Sequence, residues 1–123
     1  MTGWIVFEQG GIYLANLNPK KGNEVGKVRP VLIVQHNALN EADHPTTLVM
    51  PLSTQLIDDA WPLRLRVTKR ERLESDSDLL IDQIRAVDNK RLIDDAVAFL
   101  TEEEMARVFE QACLIIKNSQ TQK

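Results

Sequence analysis

Two groups of polar residues, each at one end of a predicted strand, could act together on a phosphodiester. Arg29 comes directly before an apolar strand at 30–35, and Ser53 and Thr54 directly follow another strand at 46–52. If the two strands are neighbours in a sheet, one guanidinium and two hydroxyls meet at the same rim. Arginine offers phosphate oxygens a rigid, bidentate donor, and a serine or threonine hydroxyl can donate to the same group. The alternative is a surface arginine and an ordinary turn.

The charges of the chain are unevenly distributed. A net charge of −3, from 15 basic and 18 acidic residues, argues against a protein that coats nucleic acid indiscriminately. Two segments are nonetheless rich in basic side chains: 19–36 contains Lys20, Lys21, Lys27 and Arg29, and 64–72 contains Arg64, Arg66, Lys69, Arg70 and Arg72. Such segments on an acidic chain indicate either a local anion site or a solvated charged face.

Length and composition exclude several classes of protein. With 123 residues, 43% of them hydrophobic, the chain should form one globular domain at 1–117 with a polar tail at 118–123. No apolar run approaches the roughly 20 residues of a membrane-spanning helix, so we expect a cytoplasmic protein without a membrane partner. Cys113, His36 and His44 provide neither an internal disulfide nor a zinc ligand set, so metal chemistry would have to come from carboxylates alone, and no other cofactor is expected.

Hydrophobic periodicity predicts the elements that must position the polar residues. Strands are predicted at 11–17, 30–35, 46–52, 63–67, 78–82, 83–88 and 96–100, with 78–88 forming one or two strands, a long loop at 18–28 and a short turn or helix at 36–41. Thr101 and Glu104 form a capping box, and the apolar spacing after it predicts an amphipathic helix of about four turns. The expected fold is mainly β with helices (α+β): a small, mostly antiparallel barrel with a terminal helix.

The strand pattern makes two more detailed predictions. Pro30 should be the first residue of its strand, where a missing N–H is tolerated. The strict alternation at 63–67 places Arg64 and Arg66 on one face, which predicts a solvated, cationic surface. Trp4 and Trp61 either stack on the bases of a single-stranded nucleic acid or pack within the protein or at an interface.

Short motifs along nearly the whole chain match one known family in order and spacing. The matching segments are 10–13, 17–19, 22–24, 27–34, 49–54, 81–88 and 91–92, followed by the final helix. The most specific combination is Gly-x-Glu followed by Arg-Pro-Val at 22–31, together with Asp-Gln-x-Arg at 82–85. With these motifs the sequence resembles the MazF/PemK (Kid-like) toxins of bacterial toxin–antitoxin modules.

The resemblance implies a fold, an activity and partners. The fold is an SH3-like barrel with a C-terminal helix, assembled as a two-fold homodimer. The activity is that of a sequence-specific, metal-independent endoribonuclease, an mRNA interferase acting on single-stranded RNA. The partner is a cognate acidic antitoxin that folds onto the RNA groove. The alternative is a non-catalytic, protein-binding toxin of the same barrel, like the CcdB gyrase poisons.

The resemblance also assigns residues. The family's arginine falls on Arg29 and its active-site threonine on Ser53, with Thr54 as the alternative hydroxyl. Glu24 is either the general base or a loop-ordering partner of Lys27 or Arg29. The RNA-binding residues are Asn23, Lys27, Thr54, Gln55, Asp82, Gln83 and Arg85.

Two positions depart from the Kid-like pattern. Asn23 and Leu80 replace the histidine and the arginine of Kid-like members. The resemblance therefore favours the arginine-plus-hydroxyl arrangement of the MazF-like branch.

Overall fold

The strands of the chain form a single connected sheet in the residues that the computed structural model describes, 6–19, 22–23, 27–93 and 95–118. The strands are β1 (Gly11–Asn16), β2 (Val28–Ile33), β3 (Thr46–Ser53), β4 (Arg64–Val67), β5 (Ser77–Leu80), β6 (Arg85–Asp88) and β7 (Ala98–Phe99). The helices are α1 (Asn37–Glu41), α2 (Glu102–Ile116) and two 3₁₀ turns, Ile81–Gln83 and Asn89–Arg91. None of the helices in these segments is long and apolar enough to cross a membrane.

The sheet curls into a barrel. Its strand order is β4-β5-β3-β2-β1-β7, β6 also pairs with β3, and every pairing is antiparallel. The two ends of this order meet beyond the strands, where the Arg72 N–H donates to the Val97 carbonyl at 2.9 Å. The Phe99 N–H donates to the Glu71 carboxylate at 3.0 Å across the same seam. The predicted small antiparallel barrel with a C-terminal helix is confirmed.

β3 is the central strand and changes partners along its length. On one edge it pairs with β2; on the other it pairs with β6 over 46–49 and with β5 over 52–53. The Val34 N–H donates to the Leu48 carbonyl, so the backbone groups of Leu48 point toward β2. Successive residues of a strand point to alternate edges, so the nitrogen of Pro51, three residues on, points to the other edge, which β6 and β5 share. Pro51 lies between those two partners, where its missing N–H costs no ladder hydrogen bond.

Pro30 is the third residue of β2, so its prediction as the first residue was wrong. The pairing of β2 with β3 covers only 31–33. Beyond it, the edge that the Pro30 nitrogen faces has no strand partner, which removes the cost of the missing N–H.

Both faces of β2 are buried over residues 31–33, as the continuous apolar run predicted. Leu32 packs into a core cluster with Met50, which Val108 of α2 joins. Val31 and Ile33 point to the opposite face, in a cluster whose other members include Tyr13, Val49 and Val87. The β2–β3 pair is therefore fixed between two cores, which makes it a rigid support for residues at its end.

α2 begins at the predicted capping box, with a further ion pair that the sequence did not reveal. The Glu104 N–H donates to Thr101 Oγ1 at 3.1 Å, and the Thr101 N–H donates to Glu104 Oε1 at 2.8 Å. Arg70 donates to the two carboxylate oxygens of Glu104 at 2.5 and 2.8 Å. The hydrogen bonds from Arg70, opposed by partial burial, lower the pKa of Glu104 to about 2. This carboxylate therefore connects the helix start to the turn after β4.

Replacing Glu104 should destabilise the fold in a pH-dependent way. Glu104→Gln loses a charge-assisted bidentate pair, so the free energy of unfolding at pH 7 should fall by about 1–2 kcal/mol. Because folding lowers the pKa, the stabilisation is complete above about pH 4.5 and is lost as the pH falls toward 2. Urea unfolding of the wild type and of Glu104→Gln at several pH values measures this.

The matched control is Glu103→Gln, an exposed carboxylate in the same helical turn. It should change the free energy of unfolding by less than about 0.5 kcal/mol. Equal losses in the two variants would show that the Arg70 pair contributes nothing beyond the helix dipole.

Candidate active site

The register of β2 and β3 brings Arg29 next to Ser53. Val31 lies opposite Pro51 in the last pair of β2 and β3, and Arg29 and Ser53 each lie two residues beyond that pair. Alternation gives Arg29 the face of Val31 and Ser53 the face of Pro51, so both side chains belong to the same face of the sheet. The two strands are neighbours, as the sequence analysis assumed, and Arg29, Ser53 and Thr54 line one cavity. Their roles stay a prediction.

These residues line a cavity of about 410 Å³ at the end of the strand pair. Its lining is Lys27, Val28, Arg29, Pro30, Leu52, Ser53, Thr54 and Gln55, and we call it the Arg29 cavity. Four residues predicted to contact RNA or to act on it, besides Arg29 itself, therefore share one concave surface. The cavity is large enough for a phosphate group with part of its nucleotide.

Arg29 is half-buried at the wall of this cavity. Its Nη1 donates to the Leu52 carbonyl at 3.4 Å, which directs the guanidinium along the end of β3. Burial lowers the pKa of Arg29, although an arginine remains a cation at any physiological pH. A partly dehydrated cation is stabilised by an anion in its vicinity, so the wall is suited to a phosphate.

Ser53 is oriented by the backbone that follows it. Its Oγ accepts the Gln55 N–H at 3.1 Å, so the hydroxyl hydrogen can donate to another acceptor. Thr54, the alternative hydroxyl, is exposed at the same cavity.

The other predicted RNA-binding residues form a second cavity, of about 290 Å³. It is lined by Asn23, Asp82, Gln83, Ile84 and Arg85, and we call it the Asp82 cavity. Arg85 lies opposite Val49 in the β3–β6 pair. Val49 and Ser53 are four residues apart on β3, so Arg85, Ser53 and Arg29 all lie on the same face of the sheet.

Several sequence predictions concern residues that the structure does not describe or that it buries. Glu24, the predicted base, lies outside the described residues, as do Trp4, Lys20 and Lys21 and most of the predicted tail. Leu80, which stands where Kid-like toxins have an arginine, is only 5% exposed. That position is used for packing in this chain.

The predicted cationic face of the fourth strand is neutralised within the fold. Arg64 binds Asp78 at 3.1 Å, and Arg66 binds Asp78 at 2.6 Å and Asp58 at 2.8 Å. The expectation that segment 64–72 offers solvated cations to an anionic partner is therefore wrong for these arginines. Arg70, already paired with Glu104, is a third exception.

Asp78 is the important residue that the sequence analysis missed. Its side chain is only 1% exposed, although it lies in a strand predicted from its apolar neighbours. A buried carboxylate requires a cationic or hydrogen-bonding partner. Asp78 in a buried strand, together with the alternating arginines of β4, was the available signal for this ion pair.

Comparison with known proteins agrees with the geometry. Residues 8–116 match the family described as PemK-like, MazF-like toxin of type II toxin-antitoxin system. Endoribonuclease MazF of Staphylococcus epidermidis is 36% identical over 104 residues, which are 84% of this chain and 85% of that protein. Endoribonuclease EndoA of Bacillus subtilis (strain 168) is 36% identical over 107 residues, 86% of this chain and 90% of that protein.

Solved structures of similar proteins share the fold. The crystal structure of MazF (Form-I) from Deinococcus radiodurans matches with a TM-score of 0.73 and 22% identity, covering 90% of this chain and 96% of that one. A MazE-MazF structure (Form-II) from the same organism matches with a TM-score of 0.71 and 20% identity, covering 93% of this chain and 98% of that one. The family match spans β1 to α2, so this chain belongs to the PemK-like, MazF-like toxin family of type II toxin–antitoxin systems.

Proposed function

We propose that this chain is an endoribonuclease that cleaves single-stranded RNA at the Arg29 cavity. The observation that carries the proposal is that Arg29 and Ser53 line the same cavity of about 410 Å³, each two residues beyond the last pair of β2 and β3. The names of the curated relatives, both endoribonucleases, support the same activity.

RNA carries its own nucleophile, which limits what the protein must supply. The 2′-oxygen attacks the adjacent phosphorus, the bond from phosphorus to the 5′-oxygen breaks, and the products end in a cyclic phosphate and a 5′-hydroxyl. One proton leaves the 2′-hydroxyl and one is taken up by the 5′-oxygen. The protein must therefore hold the in-line geometry and stabilise the charge that builds on the phosphate.

The cavity residues fit these tasks. Arg29 stabilises the added charge on the non-bridging oxygens and can donate a proton to the leaving oxygen. Ser53 donates its hydroxyl hydrogen to the same phosphate while its Oγ holds the Gln55 N–H. Glu24, outside the described residues, remains our predicted base for the 2′-hydroxyl proton.

The Asp82 cavity extends the proposed RNA path along the same face of the sheet. Its carboxylate and amide groups suit the donor and acceptor edges of unstacked bases, and Arg85 suits a neighbouring phosphate. We therefore assign base contacts to Asn23, Asp82 and Gln83.

The same face is our proposed binding site for the acidic antitoxin. Arg64 and Arg66 are neutralised by carboxylates of this chain. We therefore assign the contacts with an acidic segment to the cations that line the two cavities, Lys27, Arg29 and Arg85. An acidic segment that folds on this face would exclude RNA. We place the reaction in the cytoplasm, where messenger RNA is available.

Incubation of the protein with a long single-stranded RNA in EDTA tests the activity. Discrete fragments that end in cyclic phosphate are expected, because neither the nucleophile nor the charge stabilisation requires a metal ion in this mechanism. A folded protein that leaves the RNA intact would favour the alternative, a protein-binding toxin of the same barrel.

Substitutions in the cavity test the roles of its residues. Arg29→Ala should lower kcat by about 100-fold or more, because it removes a preorganised charge donor. Ser53→Ala should impair cleavage severely and Thr54→Ala mildly, and the double variant should be worse than either. Arg107→Ala, which removes an exposed cation on α2, controls for a general loss of attraction to RNA. An Arg29→Ala protein that cleaves at the parental rate contradicts the site.

We further propose that the chain acts as a two-fold homodimer. Large apolar side chains remain exposed on one protomer, among them Trp61, Leu114 and Ile116. Closed two-fold pairing is the commonest way to cover such surface. Sedimentation equilibrium at micromolar concentration should give twice the monomer mass of 14.0 kDa, whereas a monomer would contradict this assembly.

A further inference from the structure

The segment 54–60, between β3 and β4, carries Thr54 and Gln55 to the Arg29 cavity without regular secondary structure. We call it the site loop. It is attached to the barrel by hydrogen bonds that end on one buried carboxylate. The Ile57 N–H donates to Asp78 Oδ2 at 2.8 Å. Arg64 Nη1 donates both to Asp78 Oδ2, at 3.1 Å, and to the Gln55 carbonyl, at 3.0 Å.

Asp78 is well suited to hold this loop. Burial by itself raises the pKa of Asp78, but hydrogen bonds from Arg66, the Ile57 N–H and Arg64 outweigh it and lower the pKa below the usual range. The carboxylate is therefore ionised at neutral pH. Buried ion pairs add little net stability compared with apolar packing. We therefore expect Asp78 to matter for where it places the Ile57 N–H and Arg64, rather than for the free energy of unfolding.

The connection reaches the proposed reaction centre through the Gln55 peptide. Its carbonyl accepts from Arg64 Nη1, and its N–H donates to Ser53 Oγ at 3.1 Å. Asp78 is also the strand partner of Ser53 in the β3–β5 pair. The order of contacts is thus Asp78, Arg64, Gln55 and Ser53, with both ends fixed to paired strands.

We propose that Asp78 and Arg64 are positioning residues that fix the direction of the Ser53 hydroxyl through the Gln55 peptide. This inference rests on the proposed function. Because the Gln55 N–H occupies one lone pair of Ser53 Oγ, the hydroxyl hydrogen is restricted to directions away from that N–H. Without Arg64 the Gln55 peptide can rotate, and the hydroxyl loses this restriction. We call this set of contacts the Asp78 relay.

A double-mutant cycle between Arg64 and Ser53 tests the relay. Arg64→Gln should lower the single-turnover rate of RNA cleavage about 10-fold and change KM by less than about threefold, since it misplaces a donor without removing a binding group. In the Ser53→Ala background the same substitution should change the rate less than twofold, because the hydroxyl that it positions is absent.

A matched control separates positioning from stability. Arg70 resembles Arg64: its side chain is 20% exposed against 22%, and it binds one carboxylate. It also donates to backbone carbonyls, those of Thr68 and Phe99, as Arg64 does to that of Gln55. Arg70→Gln should lower the melting temperature and leave the cleavage rate of the folded protein unchanged. Arg64→Lys, which keeps a cation beside Asp78 and can donate to the Gln55 carbonyl, should recover part of the lost rate. If Arg64→Gln does not fold, Arg64→Met takes its place in the cycle, because it removes the guanidinium donors and keeps an apolar chain of similar length.

The outcomes distinguish the relay from the proposed function. A folded parental protein that does not cleave RNA, or a Ser53→Ala variant at the parental rate, contradicts the proposed function and the relay with it. Suppose that the parental protein cleaves RNA and that Ser53→Ala is impaired. The relay alone is then overturned if Arg64→Gln lowers the cleavage rate by no more than Arg70→Gln does. It is likewise overturned by equal losses in both Ser53 backgrounds.

Discussion

The antiparallel register of β3 determines which neighbours Ser53 has in the proposed site. At the end of this strand Ser53 pairs with Asp78 of β5. On the other edge Arg29 of β2 donates to the carbonyl of Leu52, the residue before Ser53. A shift of one residue would turn Ser53 to the opposite face and separate it from both neighbours. The register is protected because β2 and β3 are packed between two hydrophobic clusters, and because Pro51 fits only between the segments paired with β6 and β5.

The arginines of this acidic chain serve two different purposes. Arg64 and Arg66 surround the buried carboxylate of Asp78 and hold backbone, so their charge is used inside the fold. Arg29 lies half-buried at a cavity wall and donates to a backbone carbonyl, so its charge reaches the cavity. A local anion site is therefore compatible with a net charge of −3. It also concentrates the attraction for an anionic ligand at one end of the β2–β3 pair.

The elements, the barrel and the meeting of Arg29 with Ser53 were predictable from the sequence. Periodicity marks strands and the α2 capping box, and polar residues at the ends of neighbouring strands must lie close together. The Asp78 relay was only partly predictable. A carboxylate in a buried strand requires a partner, but alternation shows that Arg64 and Arg66 share a face and not which strand lies beside them. The prediction that Pro30 begins its strand was wrong for the same reason. Only the pairing of strands in the folded protein shows where β2 stops pairing with β3.

The account as a whole depends on one phosphate being bound by Arg29 and Ser53 together. The most direct test is a crystal structure of the protein with a 2′-deoxy analogue of the RNA that it cleaves, which lacks the nucleophile and so remains intact. We predict that the Arg29 guanidinium and Ser53 Oγ both lie within about 3.2 Å of non-bridging oxygens of a single phosphate. An analogue that is bound with its phosphates away from both side chains would contradict the account.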